Sequence, residues 1–106
     1  MTTGIVAELV RAKDQKFEAG QIVMTAGVCN RAAEDDQFAA QVQASLARHL
    51  SGDWGDLEEE DTQENEFSLD KYLRLFSSYV LADGGSLWII TEADRSATTM
   101  LFPSEY

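Results

Sequence analysis

A dense run of carboxylates in the middle of the chain constrains what this sequence can fold into. The segment Ser51–Asp70, SGDWGDLEEEDTQENEFSLD, contains nine Asp and Glu residues and no Lys, Arg or His. The whole chain has 19 acids, 8 bases and a net charge of −11, so the rest of the chain carries a net charge of only −2. Charges this dense repel one another, and a protein tolerates them more readily when the electrostatic field that they create serves its function. Most of this segment must therefore stay in contact with water.

The clearest periodicity lies just before the acidic segment and predicts a helix from about Asp36 to Leu50. Large apolar residues recur there every four positions, and several Ala residues, which favour helices, occur between them. The last turn contains Arg48 and His49, where cations suit the helix dipole. Gly52 can take the left-handed conformation that commonly follows a helix. The recurring apolar positions are Phe38, Val42, Leu46 and Leu50.

Shorter elements are predicted nearer the N-terminus. Residues 4–13 have the spacing of a short amphipathic helix, and residues 17–20 form a linker. The β-branched run Gln21–Met24 predicts a strand, and Thr25 is suited to cap a helix over residues 26–33. The acids at 34–36 are typical of the start of the next helix.

The acidic segment itself predicts a tight connection followed by a second long helix. Trp54 lies between two helix ends and is expected to be buried there. Asp56 is expected to cap a helix that continues to about Asp70. That helix has few apolar positions, so it should be mostly solvated.

The C-terminal third predicts β-structure. Three runs rich in β-formers, 73–82, 86–92 and 98–102, are separated by Asp83-Gly84-Gly85, a hairpin signal, and by a second short connection. Pro103 ends the last run. The predicted class is α+β, with N-terminal helices packed on a three-stranded antiparallel β-meander. We expect one domain over residues 1–106, with residues 1–19 flexible or forming a separate short helix.

Composition excludes several classes of protein. No apolar run approaches 18 residues, so no membrane span is expected. The N-terminal bases follow the apolar residues, the reverse of a secretory signal, and the single Cys29 allows no intramolecular disulfide. A cytoplasmic location is therefore expected. The acidity disfavours direct binding to nucleic acid or to an anionic membrane, since both attract basic surfaces.

Two motifs resemble a family of small, uncharacterised bacterial proteins from plasmids and other mobile elements. They are SGDWGDL at Ser51–Leu57 and WIITEADRSATTMLFPSEY at Trp88–Tyr106. Members are sometimes labelled as type I restriction–modification subunits. The resemblance implies a mobile-element setting and supplies no catalytic residue. The methyltransferase role of such a subunit is not expected, because the chain lacks the Asn-Pro-Pro-Tyr-like motif and is too short for a cofactor domain.

The sequence signals for a metal site are weaker. The helical spacing of four acids permits a metal site, but the calcium-loop pattern with its central Gly is absent, so we assign no metal and no cofactor. Those acids are Asp56, Glu59, Glu60 and Glu64.

The remaining candidate residues are given structural interpretations. Glu92, Asp94, Arg95 and Ser96 follow the strongest strand, and we expect a turn in which Arg95 pairs with one carboxylate; a small hydrolase using the same residues is a remote alternative. His49 is expected to supply charge or a surface contact at its helix end, and Cys29 to be buried and inert. No catalytic residue is assigned.

The leading functional expectation is a non-enzymatic, DNA-mimicking interaction protein. It would inhibit a host defence nucleoprotein complex, as an anti-CRISPR or anti-restriction protein, by occupying a basic nucleic-acid-binding surface. The alternative is a small regulatory or accessory subunit that oligomerises through a sheet edge or the face of Phe67, Leu69 and Tyr72, with the acidic helix serving only solubility. The expected partner-binding residues are Asp53, Trp54, Asp56, Glu58, Glu59, Glu60, Asp61, Glu64 and Glu66.

Overall fold

The structure, a computed structural model, describes residues 15–106. The predicted helix over residues 4–13 lies outside these residues. The described part contains three α-helices, four strands and one short 3-10 helix. In chain order they are β1 (Gln21–Met24), α1 (Ala26–Glu34), α2 (Asp36–Leu50), α3 (Glu59–Lys71), β2 (Leu75–Val80), β3 (Ser86–Thr91), β4 (Ala97–Leu101) and the 3-10 helix Pro103–Glu105.

The predicted α+β class is confirmed, but the predicted three-stranded meander is only part of the sheet. The strands lie in the order β1-β4-β3-β2, and β2, β3 and β4 are antiparallel as expected. β1 joins the far side of β4 in parallel, with Ile22 opposite Thr98 and Met24 opposite Met100. The sheet is therefore four-stranded and mixed. The helices lie between β1 and β2 in the chain and do not all precede the strands, because the first strand comes before them.

The cap predicted at Thr25 is confirmed, and one of the acids predicted at the start of α2 caps that helix. The hydroxyl of Thr25 accepts a hydrogen bond from the backbone N–H of Val28, and the Asp35 carboxylate accepts two from Gln37 and Phe38. Both caps satisfy N–H groups that have no partner within the helix. α3 differs, since its N-cap residue is Glu58, whose side chain makes no capping bond. The prediction that Asp56 caps this helix is therefore wrong.

The core forms between one face of the sheet and two helices. Val28 of α1 and Phe38, Val42 and Leu46 of α2 are buried against Tyr79, Leu87, Ile89 and Met100 of the strands. We call this the helix-covered face. In the register of the strands, Val23, Phe76, Val80, Trp88 and Leu101 lie on the opposite side, which we call the second face. No helix within residues 15–106 is long and apolar enough to cross a membrane.

Candidate functional site

The acidic helix α3 lies along the outer edge of β2. Asn65, which is buried, uses its side-chain amide to donate a hydrogen bond to the carbonyl of Phe76 and to accept one from the N–H of the same residue. The amide thus replaces the neighbouring strand that an edge residue lacks. Ser68 is the other buried residue of α3, so the helix presents only a narrow polar stripe to the protein.

The SGDWGDL motif covers the rest of the same strand edge. The carbonyl of Trp54 accepts a hydrogen bond from the N–H of Ser78, and the N–H of Asp56 donates to the carbonyl of Ser78. The Asp56 carboxylate accepts a third bond, of 3.0 Å, from the N–H of Val80. Gly55 between them has a φ of +80°, and a Cβ there would collide with the Ser78 carbonyl. Together with Asn65, the motif occupies an edge that would otherwise be free to pair with another chain.

Trp54 is buried, as predicted, with only 4% of its surface exposed. Its ring packs edge-on against His49 near the end of α2 and stacks on Phe17. Its indole N–H donates a 2.8 Å hydrogen bond to Glu66 of α3, which ties the helix to the core. Because the indole is enclosed, Trp54 acts in this structure as an anchor within the protein and does not contribute accessible surface to a partner.

Besides Glu66, two more of the expected partner-binding acids have partners inside the protein. Asp53 forms an ion pair with Arg48, with 2.7 Å between Nε and Oδ2, and also accepts a bond from the Gly55 N–H. The hydrogen bond from the Arg48 guanidinium holds the pKa of Asp53 below its ordinary value. Asp56 is held by the Val80 N–H, as described above. Asp53 and Asp56 therefore hold the SGDWGDL motif against α2 and β2, and Glu66 joins α3 to that motif through Trp54.

The other five expected acids form an exposed group at and after the start of α3. All five are exposed, and none forms an ion pair with a base within residues 15–106. The only side-chain hydrogen bond described for them is a long one of 3.4 Å from Gln63 to Glu59. The α3 acidic face is defined by these residues, Glu58, Glu59, Glu60, Asp61 and Glu64.

An aromatic side chain lies on the same side of the helix. Phe67 is 57% exposed although it is in the middle of α3. It follows Glu64 by three residues and Glu60 by seven, which places all three on one helix face, opposite the buried Asn65. Lys71 comes within 5.9 Å of the ring centroid and is the one base in α3. From the sequence, Phe67 is expected only as part of an oligomer face. The acids three and seven residues before Phe67, on the same helix face, are the sequence feature that predicts its exposure.

The metal-site alternative receives no support from the described residues. Within residues 15–106, no group of three or more His, Cys, Asp or Glu side chains is placed to hold a metal ion. The carboxylate of Asp56 is used at the β2 edge, away from the exposed acids of α3.

The prediction for His49 is wrong, because the ring is completely buried between α2 and the sheet. Nδ1 lies 2.5 Å from the Ser77 hydroxyl, and Nε2 lies 2.9 Å from the Thr91 hydroxyl. The Thr91 hydroxyl is hydrogen-bonded to the Thr98 hydroxyl, which in turn donates to the carbonyl of Ala19. Burial, with a smaller contribution from the Arg95 charge, lowers the pKa of His49 to about 3. The pair of His49 and Ser77 is enclosed on all sides, so this network holds the core together.

Arg95 is also structural, but it binds carbonyl oxygens and not the carboxylate that the sequence suggested. Its guanidinium donates to the carbonyls of Ser68, Leu73, Glu92 and Ala93, while only 7% of the residue is exposed. It therefore joins the end of α3 and the start of β2 to the β3–β4 turn. Glu92 and Asp94 are exposed, and Asp94 accepts a bond from the N–H of Ser96.

Cys29 lies on the exposed side of α1, so the prediction that it is buried is wrong. The buried position of that helix is its neighbour Val28. One residue corresponds to about 100° of helix rotation, which is enough to turn a side chain from the core to solvent.

Comparisons of the chain with protein-family models, with curated proteins and with solved structures give no match.

Proposed function

We propose that this protein binds, through the α3 acidic face and Phe67, a basic surface on another protein that normally holds nucleic acid. In this role it acts as a non-enzymatic inhibitor of a nucleoprotein complex, of the anti-restriction or anti-CRISPR kind. The observation that carries the proposal is the group of five exposed acids that have no basic partner within the described chain.

The charge spacing along α3 supports a partner that binds nucleic acid. Six of the 13 residues of the helix are acidic. At a rise of about 1.5 Å per residue the helix is roughly 20 Å long, so it carries about one acid per 3 Å. A single nucleic acid strand carries one phosphate per about 3.4 Å. Because successive residues point about 100° apart, a groove on one side of α3 would meet only some of these acids, such as Glu60 and Glu64, which are about 6 Å apart along the axis, close to the spacing of every second phosphate.

Phe67 supplies the apolar contact that a purely charged surface lacks. Interfaces derive most of their affinity from a few buried anchors, often aromatic, surrounded by polar residues that exclude water. Phe67 has acids on the preceding turns of its exposed helix face. An arginine-rich surface suits this arrangement, because guanidinium groups can both pair with carboxylates and stack on an aromatic ring.

We propose a defence complex as the partner class because the SGDWGDL and WIITEADRS motifs resemble proteins of mobile elements, a resemblance that no family model matches. Mobile elements benefit from blocking host enzymes that recognise their DNA. The acidic face supplies the physical means, since it can enter a basic channel and steer the approach electrostatically.

The test is a binding experiment with two variants of equal charge. The first, E58Q/E59Q/E60Q/D61N, removes four charges from the α3 acidic face. The control, E18Q/E34Q/D36N/E92Q, removes four exposed charges elsewhere. Immobilised wild-type protein and both variants are incubated with lysate of a bacterial host, and captured proteins are identified at low and high salt with and without excess duplex DNA.

We expect wild type and the control variant to retain the same nucleic-acid-binding protein, and the α3 variant to lose it by one or more factors of ten, each factor being about 1.4 kcal/mol. Salt and DNA should both release it. Equal capture by the α3 variant and by wild type, or capture that DNA never competes, would refute the proposal. Equal losses in the two variants would show that only net charge matters and would also refute it.

A further inference from the structure

Helix α3 adds almost nothing to the apolar core of the protein. Within residues 15–106, no residue of α3 belongs to the buried apolar cluster, and the two buried residues of the helix, Asn65 and Ser68, are polar. Its large apolar side chains do not compensate, since Phe67 is largely exposed and Leu69 is only partly buried. Most helical stability in proteins comes from packing an apolar face. α3 therefore lacks the contribution that stabilises α2.

Polar bonds hold α3 in place instead, and none of those described involves its first half. The Asn65 amide forms two hydrogen bonds with the backbone of β2. Glu66 accepts one from the Trp54 indole, and the Ser68 carbonyl accepts one from Arg95. Within the described chain, the part of α3 that precedes Asn65 forms no hydrogen bond or ion pair with another helix or strand. Each polar bond replaces one with water, so its net contribution is small.

We infer that α3 opens as a unit from the edge of β2 while the core stays folded. Opening breaks the few polar bonds named above and leaves the apolar cluster between α1, α2 and the sheet intact. A helix of 13 residues is marginal in water by itself, so the opened segment also loses its helical structure. Proteins open in such cooperative units at free energies below that of global unfolding. α3 is therefore an acidic arm that the fold can release.

Release of the arm has two consequences for the protein. It exposes the N–H and the carbonyl of Phe76, which Asn65 satisfies in the closed form. It also frees the six acids of α3 to follow the shape of a binding groove. The second consequence rests on the proposed function, whereas the opening itself does not. A test of the opening needs no partner, and its failure would leave the binding proposal standing.

Hydrogen exchange of the backbone amides, followed residue by residue by NMR on the full chain, tests the inference. The N–H of Phe76 points away from the sheet and binds Asn65. The N–H groups of Ser77 and Tyr79, in the same strand, point to β3 and report opening of the sheet. Amides in the second half of α3 report opening of the arm, because they are bonded within the helix. We expect protection factors at Phe76 and in α3 at least about 100-fold below those at Ser77 and Tyr79.

Two substitutions separate local from global opening. Asn65→Ala removes the bonds to β2 and should lower the protection factors in α3 at least about tenfold. Ile89→Val removes one buried methylene from the core; it should lower protection at Ser77 and Tyr79 several-fold and leave the α3 amides unchanged. Gln63→Ala, on the exposed side of α3, is the matched control and should change neither group by more than about twofold.

Equal protection factors in α3 and at Ser77 and Tyr79 of the wild-type protein would overturn the inference, because the arm and the core would then open together. An effect of Ile89→Val on the α3 amides as large as its effect on the strand amides would overturn it as well. Both comparisons are independent of whether Asn65→Ala folds.

Discussion

Acidification should destabilise this protein through His49, by an amount that the structure allows to be calculated. The ring is buried and neutral, with each nitrogen beside a hydroxyl oxygen. No carboxylate within residues 15–106 contacts it, and the nearby Arg95 charge further disfavours the protonated form. Folding therefore lowers the pKa of His49 from 6.5 to about 3. In the unfolded chain the ring takes up its proton at the ordinary pKa.

The sign follows from linkage. Because the folded pKa lies below the unfolded one, the contribution to stability is fully present above pH 6.5 and is lost as the pH falls towards 3. pH 4 lies about 2.5 units below the pKa of His49 in the unfolded chain, and each unit lowers the free energy of unfolding by about 1.4 kcal/mol. The loss from this one residue between pH 7 and pH 4 is therefore about 3 kcal/mol.

The assay compares wild type with His49→Gln by urea denaturation at several pH values from 7 to 4. The variant is less stable at pH 7, because its amide does not reproduce both hydrogen bonds, but it cannot gain a proton in this range. The carboxylates titrate in both proteins, so their effect cancels in the difference. We expect the stability advantage of wild type to shrink by about 3 kcal/mol on acidification.

A difference in stability that stays constant from pH 7 to pH 4 would refute this reasoning, because it would mean that His49 binds protons equally well in the folded and unfolded states. NMR titration of the imidazole offers an independent check. The ring signals of the folded protein should not shift above pH 4.

Substitutions at three further positions test the contacts that hold α3 and the SGDWGDL motif in place, each by urea denaturation at pH 7. Trp54→Ala should cost about 3–5 kcal/mol, because it empties a buried aromatic site; wild-type stability would mean that the indole lies on the surface. Asn65→Ala should cost about 2 kcal/mol, since the N–H and carbonyl of Phe76 lose their partner, and an unchanged midpoint would argue against the β2 edge contact. Arg95→Ala should cost about 3 kcal/mol through four lost carbonyl bonds, while Arg95→Lys should recover only part of it. A fully stable Arg95→Ala protein would contradict the role assigned to that guanidinium.

The sequence by itself determined the local elements. The four-residue period of α2, the caps at Thr25 and Asp35, and the Gly-containing turn before β3 each depend on residues within a few positions of one another. The concentration of acids on α3 and their exposure could also be predicted, because a segment with so few apolar residues has no face to bury.

Only the tertiary structure decided which distant segments meet. β1 was predicted as a strand, but nothing near Gln21–Met24 specifies a parallel pairing with β4, more than 70 residues away. His49 has the sequence context of a helix-end cation, yet the sheet and Trp54 enclose it and hydroxyls on two strands satisfy its nitrogens. Asp56 has the context of a helix cap, yet it binds an N–H of the β2 edge.

The candidate site shows the same division between what the local sequence determines and what long-range contacts determine. The sequence located the acids, but the structure separated those that bind Arg48, Trp54 or the β2 edge from the five that make none of these contacts within residues 15–106. Polar side chains can satisfy their hydrogen bonds with many different partners, so the local sequence does not specify which partner is used. The arrangement of the sheet places the backbone groups of β2 within reach of Asp56, and this long-range contact determines its role.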